Sequence, residues 1–142
     1  MFEQALAEHY SSLTIVRLPG LFGPGLKKNI IFDLMHGRAL DGVAANATFQ
    51  WFSLFDLKMV LDQVRQHDIK NLNVCSEPIS VMELVNFLGI SAEYDLKASP
   101  SATSYDITSV HASVFGGDAY LFDKEYILTE IKKFFLEFKK EK

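Results

Sequence analysis

Residues 13–29 read LTIVRLPGLFGPGLKKN, and the order of events in that stretch decides the fold. Residues 13–18 are apolar and β-branched over the length of one strand, without polar alternation, which is the pattern of a buried strand. Pro19-Gly20 ends it. Residues 18–25 hold three glycines and two prolines, so no regular element is expected to run through that loop. Beyond it, Ile30, Ile31, Leu34 and Met35 share one helical face over 29–37, with Gly37 as the stop. Upstream, 2–10 places Phe2, Leu6, His9 and Tyr10 at helical spacing. Met1 and Phe2 are poor N-caps, so this helix reads as if its beginning lay elsewhere. Helix followed by buried strand is half of a βαβ unit.

The same alternation continues outward. Residues 48–55 are aromatic-rich and fit a strand. Asp56 stands where it would cap a helix to about His67, with Leu57, Val60, Leu61 and Val64 inward. Residues 71–75 form another short buried strand. Pro78 then introduces Ser80-x-x-Glu83, a capping box for a helix bearing Leu84, Val85 and Leu88 and closed by Gly89. Residues 90–121 read as loops and one short helix. In 123–139, Tyr126, Ile127, Ile131, Phe134, Phe135 and Phe138 oppose Glu130, Lys132, Lys133 and Glu137, the pattern of a docking helix.

The chain has 142 residues, 49% hydrophobic and 23% charged, the composition of one globular domain rather than of a disordered or fibrous segment. Its formal charge of −4 supplies no field for nucleic acid or an anionic membrane, so neither partner is expected. The single cysteine, Cys75, excludes an intrachain disulfide and suits a reducing compartment. The N-terminal stretch lacks the basic and apolar regions of a signal peptide, and no run suits a membrane helix, so the expected location is cytoplasmic.

Candidate chemistry is sparse. His9, His36, His67 and His111 show no ligand spacing, and no metal is expected. Cys75 reads as a buried inert thiol. Gly23-Pro24-Gly25 with Lys27, Lys28 and Asn29 gathers two cations at a helix start and suits a phosphate, although a plain turn explains it equally well. Neither a Gly-x-Gly-x-x-Gly nor a Walker string occurs.

Taken together, RLPGLFGPGLKKN at 17–29, FQWFSLFDL at 49–57, NLNVCSEPISVMEL at 71–84 and the closing Phe-rich helix resemble the second half of an extended short-chain dehydrogenase/reductase. That is the NAD-dependent epimerase/dehydratase family, which acts mostly on nucleotide sugars. The resemblance covers all but about 90–115. It implies an α/β fold, a partial Rossmann-like parallel sheet with flanking helices, with 1–142 as a single substrate-binding domain.

The resemblance also implies roles. Pro19, Gly20, Leu21 and Phe22 fall in the turn whose backbone lies beside the nicotinamide ring, and Lys28 and Asn29 fall where the family contacts a substrate diphosphate. Gln50 and Trp51 occupy the segment that commonly supplies an Arg-Asp pair, and Gly20 stands where an Asn is usual. Trp51 reads either as a stacking platform or as a core aromatic. The family's glycine fingerprint and catalytic Tyr-x-x-x-Lys belong upstream of residue 2. Tyr10 has Thr14 rather than Lys four residues on, and Tyr120 with Lys124 lies far downstream.

The expectation is therefore the substrate-binding portion of an NAD(P)-dependent epimerase, dehydratase or reductase. It would act on a nucleotide sugar or related carbohydrate and be incompetent alone, without its N-terminal dinucleotide-binding half. NAD or NADP would serve the intact enzyme, none binding tightly to this chain. The alternative is a non-enzymatic ligand-sensing or protein-interaction module, and a third reading is an oligomerising protein using Phe134, Phe135 and Phe138. Uncovered sheet and helix surface would favour a homo-oligomer.

Overall fold

A computed structural model describes residues 2–140; Met1, the Phe2 side chain and so the reading of that first cap lie outside the described residues. The chain is α/β, with short parallel ladders flanked by helices, as expected. Helix α1 (Phe2–His9) leads to β1 (Ile15–Arg17), which pairs in parallel with β5 (Asn71–Asn73), Ile15 opposite Asn71. Strand β2 (Gly20–Phe22) pairs in parallel with β4 (Trp51–Ser53), Gly20 opposite Trp51. Strand β3 (Thr48–Phe49) runs antiparallel to β6 (Ile79–Ser80). The remaining helices are α2 (Ile30–Met35), α3 (Leu57–Gln66), α4 (Val81–Leu88) and α5 (Lys124–Lys140).

The β2–β4 ladder divides the core in two. Side chains alternate across a strand, so Phe22 and Trp51 face one apolar cluster, with Ile31, Leu84, Val85, Ile127, Ile131 and Phe135 of α2, α4 and α5. Phe52 and half-buried Leu21 face the other, with Val60 and Val64 of α3 and Leu72, Val74 and Cys75 from β5 onward. Phe52 is wholly buried, and truncating such a side chain costs about 3–5 kcal/mol. Helices on both sides of a parallel ladder define the layered architecture.

Local signals set α4. Ser80 Oγ accepts from the Glu83 N–H at 3.1 Å while Glu83 accepts from the Ser80 N–H at 2.8 Å, and Gly89 closes the helix at φ +74°. The next two orphan donors, Val81 and Met82, reach the Ala47 and Ala45 carbonyls, both at 2.9 Å. Helix α5 starts on two carboxylates: Glu77 accepts from the Lys124 N–H at 2.8 Å and Asp123 from the Tyr126 N–H at 2.7 Å.

Several expectations need correction. The Pro/Gly-rich loop does contain a strand, β2, because Pro19 precedes the pairing and the Gly20 N–H donates to the Gln50 carbonyl at 3.1 Å. The single strand expected over 48–55 is two strands that break at Gln50 and take different partners, followed by a 3-10 turn over Leu54–Asp56. Strand β1 is half-buried, with Leu18 39% exposed, and the second buried strand ends at Asn73. Asp56 makes no capping bond to α3; its carboxylate instead accepts the Tyr126 hydroxyl at 3.0 Å. That bond holds Tyr126 at the edge of α5 rather than on its inner face, and Leu61 points to solvent. Residues 90–121 carry two 3-10 turns, Ser91–Glu93 and Ala112–Phe115, in place of one helix.

Candidate functional site

Parallel strands leave a crevice beyond their carboxyl ends, and in open α/β sheets that is where ligands bind. Here the ends of β1 and β5 bring Arg17 and Asn73 together. With Leu18, Pro19, Gln50, Val74 and Ile107 they line a cavity of about 330 Å³. Larger clefts, among them one of about 440 Å³ at 115–123 and one of about 500 Å³ between 37–41 and 93–96, share none of its lining residues. The smaller cavity lies at the ends of the β1–β5 ladder, which makes it the stronger candidate.

Its polar groups are already engaged. Arg17 Nε donates to Glu3 of α1 at 2.7 Å, Nη2 donates to the same carboxylate, and Nη1 donates to Asn73 Oδ1 at 3.1 Å. This hydrogen bond from Arg17 pulls the Glu3 carboxyl below its ordinary value, and Glu3 in turn raises Arg17. Gln50 is 4% exposed. Its Nε2 donates to the Ser76 carbonyl at 2.6 Å and to the Ile107 carbonyl at 2.8 Å, and its Oε1 accepts from the Ile107 N–H at 2.8 Å. Leu18, Pro19, Val74 and Ile107 supply an apolar wall.

The residues singled out in the sequence separate into groups. Pro19 and Gln50 line the crevice, and Gly20 opens β2 beside it. Leu21 is half-buried, and Phe22 is buried with its ring 6.2 Å from that of Phe134. Lys28 is exposed and Asn29 half-buried, and neither lines the cavity. Asn29 caps α2 by accepting from the Phe32 N–H at 3.0 Å, and it donates to the Leu21 carbonyl at 2.8 Å, tying the loop back to β2. Trp51 is 4% exposed within the core, so its ring faces neighbours rather than an open face. The amide of Gln50 is spent inside the protein in the same way.

Arg17, Asn73 and Ile107 were not singled out as site residues. The signal for the first two is their place as the last residues of two strands that pair in parallel; for Ile107 no local signal exists, since a distant side chain positions it.

Nearby alternatives carry no catalytic geometry. Tyr120 donates to Asp106 at 2.6 Å, and that bond raises its pKa to about 12. Lys124 turns instead to Glu83 at 2.6 Å. A tyrosine base needs a pKa brought down toward the working pH; with Tyr120 shifted upward and Lys124 paired to Glu83, the two do not form a dyad. Burial pushes the Cys75 thiol up, which keeps it protonated. Among the described residues no group of three or more His, Cys, Asp or Glu is arranged to hold a metal, and no helix is long and apolar enough to cross a membrane.

No known family profile matches the sequence, and no curated protein matches it. Solved structures do share its fold. UDP-N-acetylglucosamine 4-epimerase from Bacillus cereus matches 95% of this chain with a TM-score of 0.60 at 16% identity, over 52% of the epimerase. L-threonine 3-dehydrogenase from Trypanosoma brucei matches 89% with a TM-score of 0.50 at 11% identity, over 44% of that enzyme. The chain spans about half the length of either. At such identities the likeness is one of fold.

Proposed function

We propose that this chain is the substrate-side portion of an NAD(P)-dependent epimerase, dehydratase or reductase of the extended short-chain dehydrogenase/reductase type. It acts in the cytoplasm on a nucleotide sugar or related carbohydrate and does not catalyse alone. One observation carries the reading: the Pro19 turn stands at the carboxyl ends of paired parallel strands, beside a cavity lined by apolar side chains together with Arg17 and Asn73. The fold likeness to an epimerase and a dehydrogenase, each over about half its length, supports it.

In this reading the glycine fingerprint and the Tyr-x-x-x-Lys pair come from polypeptide outside these 142 residues, a dinucleotide-binding half that is the chain's first partner. The cavity suits one ring rather than a whole dinucleotide, being at the small end of ligand pockets. NAD or NADP, held mainly by that other half, supplies hydride transfer. Pro19 and Gly20 border the ring with backbone, and Leu21 and Phe22 anchor the turn from beneath. Lys28 and Asn29 stand at the outer end of the loop, toward a substrate diphosphate. Gln50 and Trp51 contribute through the shape they give the turn.

A second reading, a ligand-sensing or interaction module without chemistry, is favoured by one fact: the polar groups of Arg17 and Gln50 are already paired internally. Amide-resolved titration distinguishes the two. Under the first reading UDP-N-acetylglucosamine shifts the signals of residues 17, 18, 20, 73 and 107, and NAD(H) alone does not bind tightly. Turnover or micromolar NAD(H) binding by this chain defeats the claim that it is incompetent alone. No response to any UDP-sugar leaves the module.

A further inference from the structure

We infer that Gln50 is a positioning residue for the crevice: its side-chain amide latches Ile107, at the middle of the 105–109 strap, as the outer wall, so the mouth loosens by releasing that latch rather than by unpacking a core. Its use in ligand entry rests on the function proposed above; the latch itself does not.

The segment has little apolar anchorage beyond the Tyr105 ring, 5.8 Å from that of Phe49. Residues 103–108 are all exposed, Tyr105 and Ile107 each at 51%, and only Ser109 is buried before Val110 emerges at 94%. A strap this exposed is held largely by something other than the hydrophobic effect. Its ends are fixed by backbone: the Tyr105 N–H donates to the Thr48 carbonyl at 3.1 Å and the Ser109 N–H to the Ala119 carbonyl at 2.9 Å. Between them the tethers are side chains. Tyr120 holds Asp106, and Asn73 reaches the Thr108 carbonyl at 3.5 Å, the limit of a hydrogen bond. At Ile107 both backbone groups end on Gln50.

Gln50 suits this task because it sits where the chain changes ladders, between β3 and β4, with its side chain buried. A primary amide is both donor and acceptor, so it satisfies the N–H and C=O of one residue together, as a strand partner would. Its additional bond to the Ser76 carbonyl, and the bond from the Trp51 N–H to Ser76 Oγ at 3.1 Å, fix the latch to rigid structure. Ile107 lines the crevice, so its position sets the width of the mouth.

Hydrogen exchange at individual amides tests this without a ligand. Gln50→Met keeps side-chain length and removes every polar bond; Gln50→Glu keeps volume and loses both donated bonds. With both bonds at Ile107 removed, its amide protection falls about tenfold or more in Gln50→Met. The Ile15 and Val81 amides, which donate to the Lys70 and Ala47 carbonyls, keep theirs. If Gln50 only fills space, Gln50→Met leaves Ile107 protected and the inference is overturned. Protection lost equally throughout the chain, or failure of both variants to fold, overturns it as well, because Gln50 then holds the core and not the strap. An absent response to UDP-sugar defeats the proposed function and leaves the exchange result intact.

Discussion

Gly20 lies against the face of Trp51 so closely that a Cβ at position 20 would stand 2.7 Å from Trp51 Cε3 and 3.1 Å from the Gln50 carbonyl oxygen. The two positions at which the chain departs from its resembled family, Gly20 and Gln50-Trp51, are thus one packing solution. Gly20→Ala forces the buried indole or the β2–β4 pairing to shift, at a cost of about 1–3 kcal/mol. Denaturant unfolding followed by Trp51 fluorescence gives the value; a loss below about 0.5 kcal/mol shows that the ring gives way freely.

Asn29 has φ +142° and still caps α2 with its side chain. Gly relieves the backbone but removes the cap, whereas Ala removes the cap and keeps the strain. Asn29→Ala is therefore expected to cost about 1–2 kcal/mol and to be the less stable of the two. Equal stabilities would mean that the positive φ carries no penalty.

Glu83 belongs to the α4 capping box and also receives Lys124. Burial alone would raise its carboxyl, but hydrogen bonds from Lys124 and Ser80 outweigh that and leave it below its ordinary value. A lowered carboxyl favours folding above its unfolded value, and the contribution disappears as pH falls through the folded one. Wild-type stability should therefore drop on acidification from about pH 5 to about pH 3, and Glu83→Gln should flatten that drop. Ser80→Ala costs about 1 kcal/mol at neutral pH. An unchanged acid profile in Glu83→Gln refutes the assignment.

Asp56 shifts the opposite way. Burial raises its carboxyl, the Glu130 charge adds to that, and the Tyr126 hydroxyl pulls it back. A raised carboxyl favours folding while protonated, fully below its unfolded value, and the contribution is lost as pH rises through the folded one. Asp56→Asn keeps an acceptor for Tyr126 without the charge. It should equal or exceed wild type in stability at about pH 7, with the difference closing toward about pH 3. A marked loss at neutral pH would show that the carboxylate charge is itself stabilising.

Legibility followed the range of the interaction that decides each element. The Ser80–Glu83 box and Gly89 are settled within one or two turns of chain, and both stand where the sequence puts them. The phase of α5 was readable for Ile127, Ile131 and Phe135 because three apolar positions fix a face; Tyr126 escaped because a distant carboxylate, Asp56, holds it outward. Strand β2 was hidden by its Pro and Gly content, since its pairing depends on Trp51 about thirty residues away. The crevice was legible only at Pro19 and Gln50, because strand pairing and the Ile107 latch bring in its other residues.

Each ladder and bridge that orders the crevice joins distant parts of the chain: Ile15 with Asn71, Thr48 with Ser104, Ser76 with Phe122. Such pairings carry loop-closure entropy before they return any stability. A nascent or refolding chain can form α3, α4 and α5 from local contacts, but it cannot complete the crevice until residues near 122 have joined those near 76. The crevice is thus among the last features to form, and its amides should gain protection after those of the helices in a pulse-labelled refolding experiment.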